Sequence, residues 1–235
     1  MVSTPEYLDP SFLDGYATAA QLAQTVVQKF KADTGASPEL WMGETSGAGG
    51  ATHGAHLVIG RFLGIFWFAD KLGVAAATGH SVVCKQQYQY QAFLGSSGEV
   101  EVSPEYWLSY LWKKLMGRGV LQVHGGGGLV RVYASVDHAA GAITAVVINL
   151  GPSNASVPVA IRSSKQQQRD VPGSHELYSL SAWPDASDMQ ANRTALNGRE
   201  LKLGADGTAP TLDPVIGQGL VVEAPGLSVS FAVFR

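Results

Sequence analysis

Near residue 118 the chain changes texture, and that change limits the folds open to it. Before this point, stretches of helical period alternate with short apolar runs; beyond it come only short strand-like runs separated by turn residues. Asp9-Pro10 offers an N-cap with proline at the first helical position, and Leu13, Tyr16, Ala20, Ala23, Val27 and Phe30 follow at helical spacing up to Gly35. The short apolar run Leu40-Trp41-Met42-Gly43 then delivers Glu44 into a glycine-rich stretch, Gly47 to Gly50. A helix is expected from about Ala55 to Leu72 with Gly73 as its terminator, then a buried strand at Ser81–Cys84, a polar loop, and a helix from Ser103-Pro104-Glu105 to Gly117.

In the second half, Val120–Val123 and Leu129–Ala134 flank four successive glycines, Gly125 to Gly128, and read as a hairpin. Further strands are expected at Ile143–Asn149, Val157–Ile161, Glu176–Leu180, Leu201–Leu203, Leu220–Glu223 and Leu227–Phe234. In the last of these, Leu227, Val229, Phe231 and Val233 alternate with Ser228, Ser230 and Ala232 as in a half-buried strand. Short strands without intervening helices point to an antiparallel sandwich over residues 119–235. An eight-stranded (β/α) barrel takes about 250 residues, so two strand–helix units cannot close one. Residues 1–118 are therefore either a small layered fold or the tail of a longer one.

Composition narrows the function. The formal net charge of −3 argues against nucleic acid as the main partner. Cys84 is the one cysteine, so no internal disulfide forms. Met1 to Glu6 lacks both the basic region and the apolar core of a signal peptide, and the apolar Phe62–Leu72 segment is too short to span a bilayer. No cofactor motif is present. His53 and His56 lie three apart beside the glycines, but with no third ligand nearby they read as polar loop residues or glycan contacts, and no metal is expected. Asn154-Ala155-Ser156 and Asn192-Arg193-Thr194 match the glycosylation acceptor pattern, which matters only in a secretory context. Trp67, Trp107 and Trp112 fall within apolar helix patterns and read as core, as does Cys84. Lys113, Lys114 and Arg118 read as a solvated helix end.

Several words occur in an order that carries a resemblance: Leu40 to Ser46, Phe68 to Gly73, Pro104 to Ser109, Lys113 to Gly117, Leu196 to Leu201, and the closing Pro225 to Arg235. Together they resemble the C-terminal half of heparanase, of glycoside hydrolase family 79. The resemblance implies an α/β plus all-β architecture: the C-terminal part of a (β/α)8 TIM barrel over residues 1–118, then a β-sandwich. It implies a retaining β-glucuronidase acting on glycosaminoglycan-type chains, with Glu44 where the family's nucleophile sits.

A retaining glycosidase needs two carboxyl groups about 5–5.5 Å apart. In this family the acid/base glutamate follows an asparagine, and no Asn-Glu pair occurs in the sequence. Glu99 and Glu101, on the loop after the second strand, read as solvating carboxylates rather than a substitute. The resemblance also implies uronate contacts from the backbone of Gly49 and Gly50 and a role for Gln86 near the site. Phe93 stands where the family has a tyrosine, and a phenyl ring cannot donate that hydrogen bond.

The expected partners are thus a glucuronide-containing polysaccharide and an N-terminal barrel segment, from the same protein or a separate subunit. Any membrane association would belong to a full-length protein, which is expected to be extracellular or lysosomal. From a different class, the alternative is a catalytically inactive glycan-binding or interaction protein derived from the same fold.

Overall fold

The computed structural model describes residues 7–45, 58–85, 91–95, 98–162 and 173–235. Helix α1 (Pro10–Thr34) begins where the Asp9 carboxylate accepts the Ser11 N–H at 2.8 Å, and it ends where Gly35, in the left-handed region at φ 74°, donates its N–H to the Lys31 carbonyl. Both caps are those expected from the sequence. Strand β1 (Leu40–Thr45), helix α2 (Leu63–Ala77) and strand β2 (His80–Lys85) form a β–α–β unit with the strands parallel.

Helix α2 departs from its expected limits at both ends. Residues 58–62 are turns rather than helix, and residues 55–57 lie outside the described part. Two of the first N–H groups of the helix find acceptors far along the chain: Phe62 donates to the Ala191 carbonyl at 2.8 Å and Leu63 to that of Met189 at 3.0 Å. At the other end the helix runs through Gly73 to Ala77. Gly73 is not a terminator but a notch, for a Cβ there would stand inside the ring of Tyr133. The left-handed glycine after the helix is Gly79, at φ 78°.

The expected polar loop holds a small hairpin of β3 (Ala92–Leu94) and β4 (Val100–Val102). Helix α3 (Pro104–Leu115) follows, capped by Ser103. Ten further strands come next: β5 (Gly119–Leu121), β6 (Val130–Asp137), β7 (Ala142–Asn149), β8 (Ala155–Pro158), β9 (Ser174–Trp183), β10 (Arg193–Leu196), β11 (Arg199–Glu200), β12 (Val215–Gln218), β13 (Val221–Ala224) and β14 (Ser228–Phe234). Eight of them form an antiparallel sheet in the order β11-β10-β9-β14-β7-β6-β5, with β12 also paired to β9. β5 and β6 pair across the four-glycine segment, as the hairpin reading requires. Leu201–Leu203 is not a strand; Leu201 instead turns inward after β11 and donates its N–H to Thr194.

One face of this sheet lies against the helices. Val229, Phe231, Val146, Ile148 and Leu180 join Trp107, Leu108 and Leu111 in a single apolar cluster, and the rings of Trp112 and Phe231 meet edge to face with centroids 6.2 Å apart. On the other face, Ala232, Phe234, Ala145 and Val147 are covered by Val222, Ala224 and Val157 of the separate β8–β13 pair. β14 is therefore buried on both faces rather than half-buried. Its serines are inside, and each finds a partner: Ser230 with Ser179 at 2.8 Å, and Ser228 donating to the Pro225 carbonyl at 2.7 Å.

The helices are tied to the sheet by a polar chain that runs from the buried Asp70 to the exposed Asp14. Tyr133 of β6 donates to Asp70 of α2 at 2.6 Å, while Arg131 pairs with Asp70 at 3.5 Å and with Asp14 of α1 at 2.7 Å. Burial pushes the Asp70 carboxyl above its ordinary value, opposed by the Tyr133 hydrogen bond and Arg131; burial also raises the Tyr133 phenol. The notch gives an unusual expectation. Gly73→Ala should lower stability in urea denaturation by about 1–3 kcal/mol through overpacking. In a Tyr133→Ala background the same substitution should turn neutral or stabilising, because alanine is the better helix former by about 1 kcal/mol.

Candidate active site

The site is built at the carboxyl end of β1, where a register irregularity precedes Thr45. Met42 faces the helices, where the Tyr16 hydroxyl of α1 lies 3.7 Å from its sulfur. Thr45 also faces them: it is buried, and the Lys71 ammonium of α2 donates to its hydroxyl at 2.7 Å. Strict alternation would not put residues three apart on one face. The pairing with β2 shifts register between these two residues, and the shift places both toward the helices. Glu44, just before Thr45, is left exposed on the open side of the two-stranded sheet. Trp41 is exposed as well, and its indole N–H donates to Glu39 at 2.7 Å.

Beneath this open face lie two half-buried lysines that sequence reasoning did not single out. Lys71 sits 3.6 Å above the Trp67 ring and 5.2 Å from that of Tyr16. Lys85, register partner of Thr45, pairs with the buried Glu105 of α3 and lies 4.1 Å from the Phe68 ring. Burial lowers Lys71 to about 8. Burial, and after it the charge of Lys71, lowers Lys85 to about 7, while contact with Glu105 pulls the other way. The available signal was faint: Lys71 interrupts an otherwise apolar helix, and Glu105 in a first helical turn looks like an ordinary companion of the helix dipole.

Of the residues expected at the site, Glu44 and Phe93 fall in the described part, whereas Gly49, Gly50 and Gln86 lie outside it, as do His53 and His56. Phe93 is on β3, opposite Glu101, and is 38% exposed. Glu99 and Glu101 belong to this hairpin, and a Cβ on Gly95 would meet both side chains. The hairpin's base is tied to the start of α3 by the Ser103 N–H donating to the Gln91 carbonyl at 2.8 Å. Lys113, Lys114 and Arg118 are exposed at the opposite end of that helix. Trp107 is buried, Trp67 and Trp112 are half-buried in the same cluster, and Cys84 is half-buried with a free thiol. Asn154 and Asn192 are exposed. Among the described residues no group of three or more His, Cys, Asp or Glu side chains is placed to hold a metal ion, and no helix is long and apolar enough to cross a membrane.

No protein-family model matches the chain. Curated relatives do. Heparanase-like protein 1 of Arabidopsis thaliana is 29% identical, with the match covering 96% of this chain and 45% of that protein. Heparanase of Gallus gallus is 29% identical over 98% of this chain and 43% of its own length. The hyaluronoglucuronidase of Hirudo nipponia is 28% identical over 85% and 40% respectively. The chain thus spans less than half the length of these relatives. Among solved structures, the GH51 arabinofuranosidase from Xanthomonas axonopodis pv. citri superposes on all of this chain and 48% of its own with a TM-score of 0.62 at 13% identity, a likeness of fold alone.

The lowered Lys71 predicts how stability varies with pH. Between about pH 8 and 10.5 the unfolded chain holds a proton on this lysine that the folded chain does not, so this group makes folding more favourable as pH rises through that window. Denaturant unfolding at pH 8 and pH 9, where an unfolded tyrosine is still about nine-tenths protonated, should show a smaller rise for Lys71→Met than for the parent.

Proposed function

We infer, from a chain that is heparanase-like along nearly its whole length, that it forms part of a retaining glycosidase acting on glucuronide-containing glycans, with Glu44 as the nucleophile. Residues 1–118 are then the last two strand–helix units of a (β/α)8 barrel, and residues 119–235 the accompanying β-sandwich. The observation that carries this reading is the exposed Glu44 at the carboxyl end of a parallel strand whose next residue, Thr45, is buried and held from behind. In parallel barrels, reacting side chains stand at that end.

The chemistry assigns the rest. The Glu44 carboxylate attacks the anomeric carbon as the bond to the leaving oxygen breaks. That oxygen departs with a proton from a second carboxyl group, and water later releases the sugar from Glu44. The family places the proton donor after an asparagine, and this sequence has no such pair. A segment carrying the other barrel strands therefore supplies the acid. It also covers the outer edges of β1 and β2, which among the described residues pair only with each other.

Two outcomes are expected. The purified chain should not hydrolyse 4-nitrophenyl β-D-glucuronide, because proton donation alone is worth about 10²–10⁴-fold. Co-expression with the segment bearing the remaining strands should restore turnover, which Glu44→Gln abolishes. Turnover by the chain alone that Glu44→Gln removes would reveal an acid within this sequence, whereas binding of glucuronides without turnover in the reconstituted protein would favour the non-catalytic reading. In thermal melting the chain alone should be marginally stable, with the added segment raising its midpoint. A sharp monomer peak melting cooperatively above ~65 °C, beyond the common mesophilic range, would mean that the chain is a self-sufficient fold.

A further inference from the structure

Glu44 stands at the end of β1, where the ladder to β2 has already slipped register. A nucleophile in such a place needs another anchor, since a displacement of about 1 Å can cost 10²-fold in rate. The anchor is on the reverse face. The Thr45 hydroxyl is buried and accepts from the Lys71 ammonium at 2.7 Å, and that ammonium is itself set 3.6 Å above the Trp67 ring on a helix locked to the sheet through Asp70. We propose that Lys71 is a positioning residue for Glu44, acting through the Thr45 hydroxyl to fix the direction of the carboxylate on the opposite face. This deepens the glycosidase reading and rests on it.

In this arrangement Lys71 acts on Glu44 through the Thr45 hydroxyl, so its effect on the carboxylate should vanish when Thr45 cannot receive it. Lys71→Met keeps the apolar stem and loses the donor, Thr45→Val keeps the shape and loses the acceptor, and Lys71→Arg and Thr45→Ser restore each group.

The probe is 2,4-dinitrophenyl 2-deoxy-2-fluoro-β-D-glucuronide. Glu44 attacks its anomeric carbon, forming a glycosyl ester, while dinitrophenolate leaves with the bonding electron pair and needs no proton. The chain's own carboxylate is therefore read independently of the acid, by intact mass and by mapping the modified residue. The expected result is labelling of Glu44 that is at least tenfold slower in Lys71→Met and in Thr45→Val. The double variant should be no slower than either single one, and Lys71→Arg and Thr45→Ser should return to within about threefold of the parent. Circular dichroism and melting of each variant separate this from unfolding, and the two restoring variants read the same contact if Lys71→Met folds poorly.

Parent-like labelling of Lys71→Met and Thr45→Val overturns the proposal and leaves Glu44 as nucleophile. So do effects that multiply independently in the double variant, or restoring variants as slow as the deletions. The labelling is read in the chain co-expressed with the segment bearing the remaining strands, and no labelling of Glu44 in that parent overturns the nucleophile assignment itself, and this proposal with it.

Discussion

The arrangement of the whole molecule depends on one buried contact, the ring of Tyr133 seated in the notch of Gly73. The sheet can approach helix α2 that closely only because position 73 has no side chain. Close approach then buries Asp70 beside Tyr133 and Arg131. An isolated carboxylate at that depth would be costly; a phenol and a guanidinium reaching it from β6 offset the cost. Arg131 also reaches Asp14 and the Pro10 carbonyl at the start of α1, so one side chain of the sheet holds two helices. Those helices in turn reach β1, which pairs with β2, through Tyr16 at Met42 and Lys71 at Thr45.

The sheet is organised around β14, the strand nearest the C-terminus and the one most completely enclosed. Pairing with β7 on one side and β9 on the other satisfies its backbone, and its side chains enter two different apolar clusters. The corner leading into it is held by Asn149, whose amide donates to the carbonyls of Ser153, Ala224 and Pro225 while its oxygen accepts from Gly151. A buried amide with all these partners specifies one geometry for two crossing loops. The candidate site shares the principle in smaller form: a part-buried polar contact, Lys71 to Thr45, lies beside the exposed Glu44.

The parts legible in the sequence are those whose physics is local. Asp9-Pro10, Ser103-Pro104 and Gly35 satisfy or terminate helix backbones with their own neighbours, so their positions could be read directly. The strand-end placement of Glu44 and the alternation of β14 were legible for the same reason, being matters of spacing along one element. The burial of Ser228 and Ser230 was not, because a serine is polar in isolation and becomes interior only when another strand supplies its partner. The hairpin β3–β4 was read as a polar loop, since its three-residue strands are too short for a periodic signal.

By itself, then, the sequence determined the three long helices and most of the longer strands, the carboxylate at the end of β1, and a likeness to heparanases that runs along nearly the whole chain. Tertiary structure decided the rest. The start of α2 depends on carbonyls at residues 189 and 191, and its passage through Gly73 depends on Tyr133, sixty positions away. The burial of Thr45, next to Glu44, goes with a register shift against β2 and with a lysine from a different element. Propensity and capping act over a few residues, whereas the free energy of a buried contact belongs to both of its partners, and no single stretch of chain contains both.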